Sequence, residues 1–164
     1  MRKIIIGVMG PGANATETDL QNAYKLGNLI AQSGWVLLTG GRNAGVMDAA
    51  SKGAKAANGL TIGILPTNDT SAVSNAVDIA IVTDMGNGRN NINVLSSNVV
   101  IACGMGAGTA SEIALALKNH KKVILLTNHP ESKVFFQSLS EDSILIANTP
   151  AAAIEIVKEV LSHY

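Results

Sequence analysis

Short contiguous apolar runs recur along this chain, as in Ile4-Ile5-Ile6-Gly7-Val8-Met9, and between them apolar residues fall at helical spacing. A run without polar alternation suits a strand covered on both faces, the condition of a parallel sheet sandwiched by helices. The runs predict strands over residues 3–9, 35–39, 60–65, 78–82, 98–103, 121–126 and 143–147. The first helix starts after Thr16, an N-cap with Asp19 three residues on. Its buried face is Leu20, Ala23, Tyr24, Gly27, Ile30 and Ala31, and Ser33-Gly34 ends it. Further helices are expected over 44–57, 89–97, 109–119 and 131–139, with a last one capped by Thr149 and opened by Pro150.

This alternation defines an α/β fold: a Rossmann-like, doubly wound parallel sheet with helices on both faces, one ligand-binding domain over residues 1–164. Apolar residues make up 47% and charged residues 15%, so much of the surface is expected to be covered, most simply by further copies of the chain. The twelve basic and twelve acidic residues balance, which argues against a nucleic-acid or membrane-surface partner. No run reaches the ~20 apolar residues of a membrane span, and residues 4–9 are too short for a secretory signal. The lone Cys103 fits a reducing, cytoplasmic setting, and it reads as a small buried hydrophobe. His120, His129 and His163 lack metal-ligand spacing, so no metal site is expected.

Right-handed crossovers put every strand's carboxyl end on one edge, where ligands bind at the switch in strand order. Four glycine-bearing loops reach that edge: Gly10-Pro11-Gly12, Gly40-Gly41-Arg42-Asn43, Gly86-Asn87-Gly88-Arg89 and Gly104-Met105-Gly106-Ala107-Gly108-Thr109. The last feeds a helix N-terminus, whose free N–H groups and dipole favour an anion such as phosphate. It is no P-loop, since the chain has no Gly-Lys pair, and the first loop lacks the dinucleotide fingerprint.

Two charged residues accompany these loops. Thr109-Ala110-Ser111-Glu112 matches a capping box, in which Glu112 bonds back to the Thr109 amide; alternatively Glu112 points into the site as a carboxylate. Arg89 opens a helix where a cation opposes the dipole, so a ligand phosphate or Glu112 is its expected partner, unless it is solvated. Arg42 has a similar claim.

The stretch from Thr39-Gly40-Gly41-Arg42-Asn43 through Gly63-Ile64-Leu65-Pro66, with Gly106-Ala107-Gly108-Thr109-Ala110-Ser111-Glu112, resembles the superfamily of cytokinin-activating phosphoribohydrolases, long mislabelled lysine decarboxylases. Within it, residues 6–12, Asn90-Asn91-Ile92-Asn93, Leu95-Ser96-Ser97-Asn98, Gly104-Met105-Gly106 and Phe135-Phe136 are similar to the molybdenum cofactor carrier group of green algae and cyanobacteria. The resemblance implies a homotetramer that binds, protects and carries the phosphate-bearing Mo-molybdopterin cofactor. It also implies molybdoenzymes and cofactor-synthesis proteins as partners. The ligand contacts would come from Gly10, Pro11, Gly12, Gly40, Gly41, Arg42, Asn43, Arg89, Asn90, Gly104, Met105, Gly106, Ala107, Gly108, Thr109 and Glu112. The alternative it leaves open is a phosphoribohydrolase cleaving the N-glycosidic bond of a nucleoside 5′-monophosphate, with Arg89 and Glu112 catalytic. Two departures from the enzyme pattern stand against that alternative: Asn90 follows Arg89 in place of lysine, and Met105, in place of glycine, is expected to crowd the ribose space.

Overall fold

The computed structural model describes residues 2–140 and 142–163. Seven strands form one sheet: β1 (Ile5–Met9), β2 (Val36–Thr39), β3 (Thr61–Leu65), β4 (Ile79–Val82), β5 (Val99–Cys103), β6 (Val123–Leu126) and β7 (Ile144–Ile146). All pair in parallel, in the order β4-β3-β2-β1-β5-β6-β7. Winding therefore reverses between the neighbours β1 and β5, where Ile6 is in register with Val99 and Met9 with Ala102.

Among the described residues, five α-helices connect strands, α1 (Glu17–Gln32), α2 (Gly45–Ala56), α3 (Arg89–Ser96), α4 (Ala107–Lys118) and α5 (Pro130–Leu139), and α6 (Pro150–Leu161) follows β7. Alternate residues of each central strand face opposite layers. Ile6, Val8, Val99, Ile101 and Cys103 pack with residues of α1, α2 and α6. Met9, Val100 and Ala102 pack with Val94, Ile113 and Phe136 of α3, α4 and α5. This double coverage is why the strands read as unbroken apolar runs.

The α1 capping box forms as expected: Thr16 Oγ1 accepts from the Asp19 amide at 3.1 Å, and the Asp19 carboxylate accepts from the Thr16 amide at 3.0 Å. Tyr24, expected on the buried face, is 45% exposed. The reason lies in the α1–α2 contact, where Gly53 sits directly against the Tyr24 carbonyl and leaves no room for a ring between the helices. Edge strand β4 is exposed along its length, with Ile79 and Ile81 on one face of the sheet and Val82 on the other. Residues 66–77 are turns and bends. They pack on the β2–α2 loop through the Arg42–Val73 bridge and through the Asn43 amide donating to Ala72.

Candidate functional site

The loops after β1, β2, β4 and β5 surround a cleft of about 260 Å³ at the sheet's carboxyl edge. It lies where the strand order reverses, the position expected of a ligand site in a doubly wound sheet. Of the residues singled out from sequence, Gly10, Pro11, Gly12, Gly40, Arg42, Arg89 and Asn90 line it, together with residues 106–109 and Glu112. Gly41, Asn43, Gly104 and Met105 do not. Gly41 and Asn43 bond outward to Ser74 and Ala72. Gly104 turns the chain at φ +82 against the Asp19 carboxylate. Met105 packs among the α3–α5 core residues, so it does not crowd the cleft as expected.

Helix α4 starts two residues earlier than the sequence pattern indicates. Its N-cap is Gly106, in extended conformation and without a side-chain cap bond. Thr109 is therefore the third helical residue, and the expected capping box does not form. Ala107, Gly108 and Thr109 present the first three amides, which lack acceptors within the helix and open on the cleft. By contrast α1 and α6 close their N-termini with Thr16 and Thr149. The Thr109 side chain is 2% exposed and its hydroxyl has no protein partner. A buried hydroxyl left unpaired at an open helix N-terminus is complementary to an anion's oxygens.

Arg89 is buried, which removes the reading of it as a solvated surface residue. As the first residue of α3 it reaches back under the sheet edge, and its Nη1 donates to the carbonyls of Gly40 and Ile64, each at 2.6 Å. A side chain at position 40 would collide with that nitrogen, so glycine there seats the guanidinium. Arg89 Nε has no protein acceptor. Burial and the positive charge of Arg42 lower the Arg89 pKa, while Glu112 opposes them; an arginine nevertheless keeps its charge.

Glu112 is buried and accepts from Asn93 Nδ2 through Oε1 at 2.9 Å. Asn93 is the one hydrogen-bond donor to its carboxyl among the described residues, and Glu112 lines the cleft. Burial pushes its pKa up to about 7, against the opposing pulls of the Asn93 bond and the Arg89 charge. Arg89 and Glu112 share the cleft without forming an ion pair. Asn90 joins α3 to the α4 N-terminus: its Nδ2 donates to Ser111 Oγ at 3.1 Å, and that hydroxyl donates to the Gly108 carbonyl at 2.7 Å.

Sequence reasoning missed Asn93, Asn14, Asn87, Met9 and Met47. Asn93 was within reach, since it lies four residues after Arg89 and so shares its helix face. Met9 from β1, Asn14 and Asn87 from turns and Met47 from α2 line the cleft through tertiary placement that no local pattern encodes. Cys103 is fully buried and its thiol is pushed up to about 12, which makes it inert. Among the described residues, no cluster of three His, Cys, Asp or Glu is placed to hold a metal ion, and no helix is long and apolar enough to cross a membrane.

Comparison with known proteins extends these observations to the whole chain. The molybdenum cofactor binding protein from the phototrophic bacterium Rippkaea orientalis superposes with a TM-score of 0.97 at 65% identity, covering 98% of this chain and 99% of that one. The molybdenum cofactor carrier protein from Chlamydomonas reinhardtii does so with a TM-score of 0.93 at 55% identity, covering 98% and 99%. More distantly, the cytokinin riboside 5′-monophosphate phosphoribohydrolase of Mycobacterium tuberculosis is 31% identical over 116 residues, 66% of this chain and 62% of that one. Residues 3–154 match the model of the SLOG cluster4 family, and the chain belongs to that family.

Proposed function

We propose that this protein binds the molybdenum cofactor in the cleft at the β1–β5 switch, protects it, and carries it to molybdoenzymes. One observation carries the reading: the α4 N-terminus is uncapped, and beside its three free amides lies the buried, unpartnered Thr109 hydroxyl. A terminal phosphate is the ligand group such a cradle suits, and Arg42 and Arg89 supply positive charge on the opposite wall. Gly10, Gly12, Gly40 and Gly106 line the cleft with main chain, a surface against which a flat pterin could lie. Likeness to the Rippkaea and Chlamydomonas proteins over almost the full chain supports the choice of ligand. The cofactor is cargo here, and the protein's part is to bind it, orient it and restrict solvent.

Loading the pure protein with molybdenum cofactor and then adding an apo molybdoenzyme tests this. The expected result is saturable binding, slower oxidative loss and restored enzyme activity; a cofactor that decays as fast as it does free in solution excludes the role. We further propose a cytoplasmic homotetramer, consistent with the low charged share of 15% and the apolar exposure of Ile79, Ile81 and Val82. Light scattering at the mass of one chain contradicts that assembly.

One observation favours a second reading, residual phosphoribohydrolase activity. Glu112, with its pKa near neutrality and beside Arg89, suits proton transfer at a glycosidic bond. Release of free base from AMP that disappears in Glu112→Gln supports it, and no release excludes it.

A further inference from the structure

We propose that Glu112 couples the cleft to protons: a bound dianion keeps Glu112 protonated, its O–H donates to a ligand oxygen, and loading takes up one proton from solvent. This rests on the anion-binding reading of the cleft given above. Glu112 lies one turn after the amides of residues 107–109, on the helix whose N-terminus forms the cradle. Its Oε1 is committed to Asn93 as an acceptor, which both the ionised and the neutral carboxyl satisfy. Its Oε2 has no hydrogen-bond donor among the described residues, and the residue lines the cleft, so Oε2 is the oxygen free to meet a ligand. An ionised Oε2 facing an anion's oxygens is acceptor against acceptor and charge against charge. A protonated Oε2 is a donor there.

The charges around Glu112 agree in direction. From α3, Arg89 favours the ionised carboxylate, and from the β2–α2 loop Arg42 bears on Arg89. β5 and β6, which also pack on α4, bring no charged side chain to the cleft. A dianion between the two arginines offsets the Arg89 charge, one of the two influences that hold Glu112 ionised, and leaves only the Asn93 bond. Binding therefore shifts Glu112 further toward its neutral form, and the proton added to Oε2 comes from solvent. Below neutrality Glu112 is already protonated in the free protein and binding takes up nothing. Above neutrality each loading event must protonate it, so affinity falls as pH rises. Acidification favours capture and alkalinisation favours release.

Sulfate is the probe, because it is tetrahedral and stays a dianion at every pH used, so proton uptake reports the protein alone. Calorimetric titration in buffers of different ionisation enthalpy measures the protons bound. The expected uptake is close to none at about pH 6 and approaches one at about pH 8, with sulfate affinity about tenfold lower at the higher pH. In Glu112→Gln both the uptake and the pH dependence vanish. Sulfate binding by the wild type without uptake overturns the coupling and leaves the anion site standing. Uptake that survives in Glu112→Gln overturns the assignment to Glu112. Absence of sulfate binding from both proteins overturns the anion site itself.

Discussion

Glu112 shows how far one side chain's environment can depart from its sequence pattern. Thr109-x-x-Glu112 has the spacing of a capping box, yet Gly106 takes the cap and leaves Glu112 in the second turn, against Asn93. The pattern misleads because it describes hydrogen bonds a helix end could make, whereas the actual end is set by where the Gly104 turn releases the chain from β5. Burial raises the Glu112 pKa from the usual 4.5 to about 7. A carboxyl raised on folding means that the native state binds more protons, so its stabilisation is complete below about pH 4.5 and is lost as pH rises to about 7. Over that interval the loss is on the order of 3 kcal/mol at 1.36 kcal/mol per unit. Urea unfolding of the wild type should show this decline, while Glu112→Gln, which cannot ionise, should be flatter and more stable at about pH 8. Parallel profiles for the two proteins contradict this account of the buried carboxyl.

At the scale of elements, strand existence was legible because both faces of the central strands are covered, which writes itself as unbroken apolar runs. Cover could not be read for β4: Ile79-Ala80-Ile81-Val82 has the same composition as a buried strand, but it is the sheet's edge and its residues are exposed. The α1 start was legible, since Thr16 and Asp19 act within one turn. How closely α1 and α2 approach was not, because it depends on glycines from two separate segments. A Cβ on Gly27 would strike the Ala50 carbonyl oxygen and come within 2.9 Å of the Ala54 amide nitrogen. Gly27→Ala should therefore destabilise the fold by about 2 kcal/mol despite alanine's better helix propensity, measured as a lowered urea midpoint. An unchanged or raised midpoint shows that the two helices part without cost.

For the molecule as a whole, the decisive arrangement is the reversal of winding between β1 and β5. It sets the Gly10–Gly12 turn beside the α4 N-terminus, with Gly106 close to Pro11. The long β4-to-β5 crossover then lays α3 against α4 and delivers Arg89, Asn90 and Asn93 to the same place. Most of this site was foreseeable once four glycine loops were assigned to one sheet edge. The exceptions, Gly41, Asn43, Gly104 and Met105, share those loops but serve the turns themselves or the core.

The central claim is that the α4 N-terminus receives the cofactor's phosphate. Gly108→Asp tests it most directly, because the two consequences have opposite sign. A side chain at 108 meets no atom within 4 Å, and an acidic residue in a helix's first turn stabilises it by about 0.3–1 kcal/mol. The same carboxylate would occupy the anion's place and repel it. Titrating molybdenum cofactor into wild type and Gly108→Asp should give saturable binding in the first and at least about a tenfold loss in the second, with the melting temperature unchanged or raised. Equal affinity in the two proteins would contradict the account.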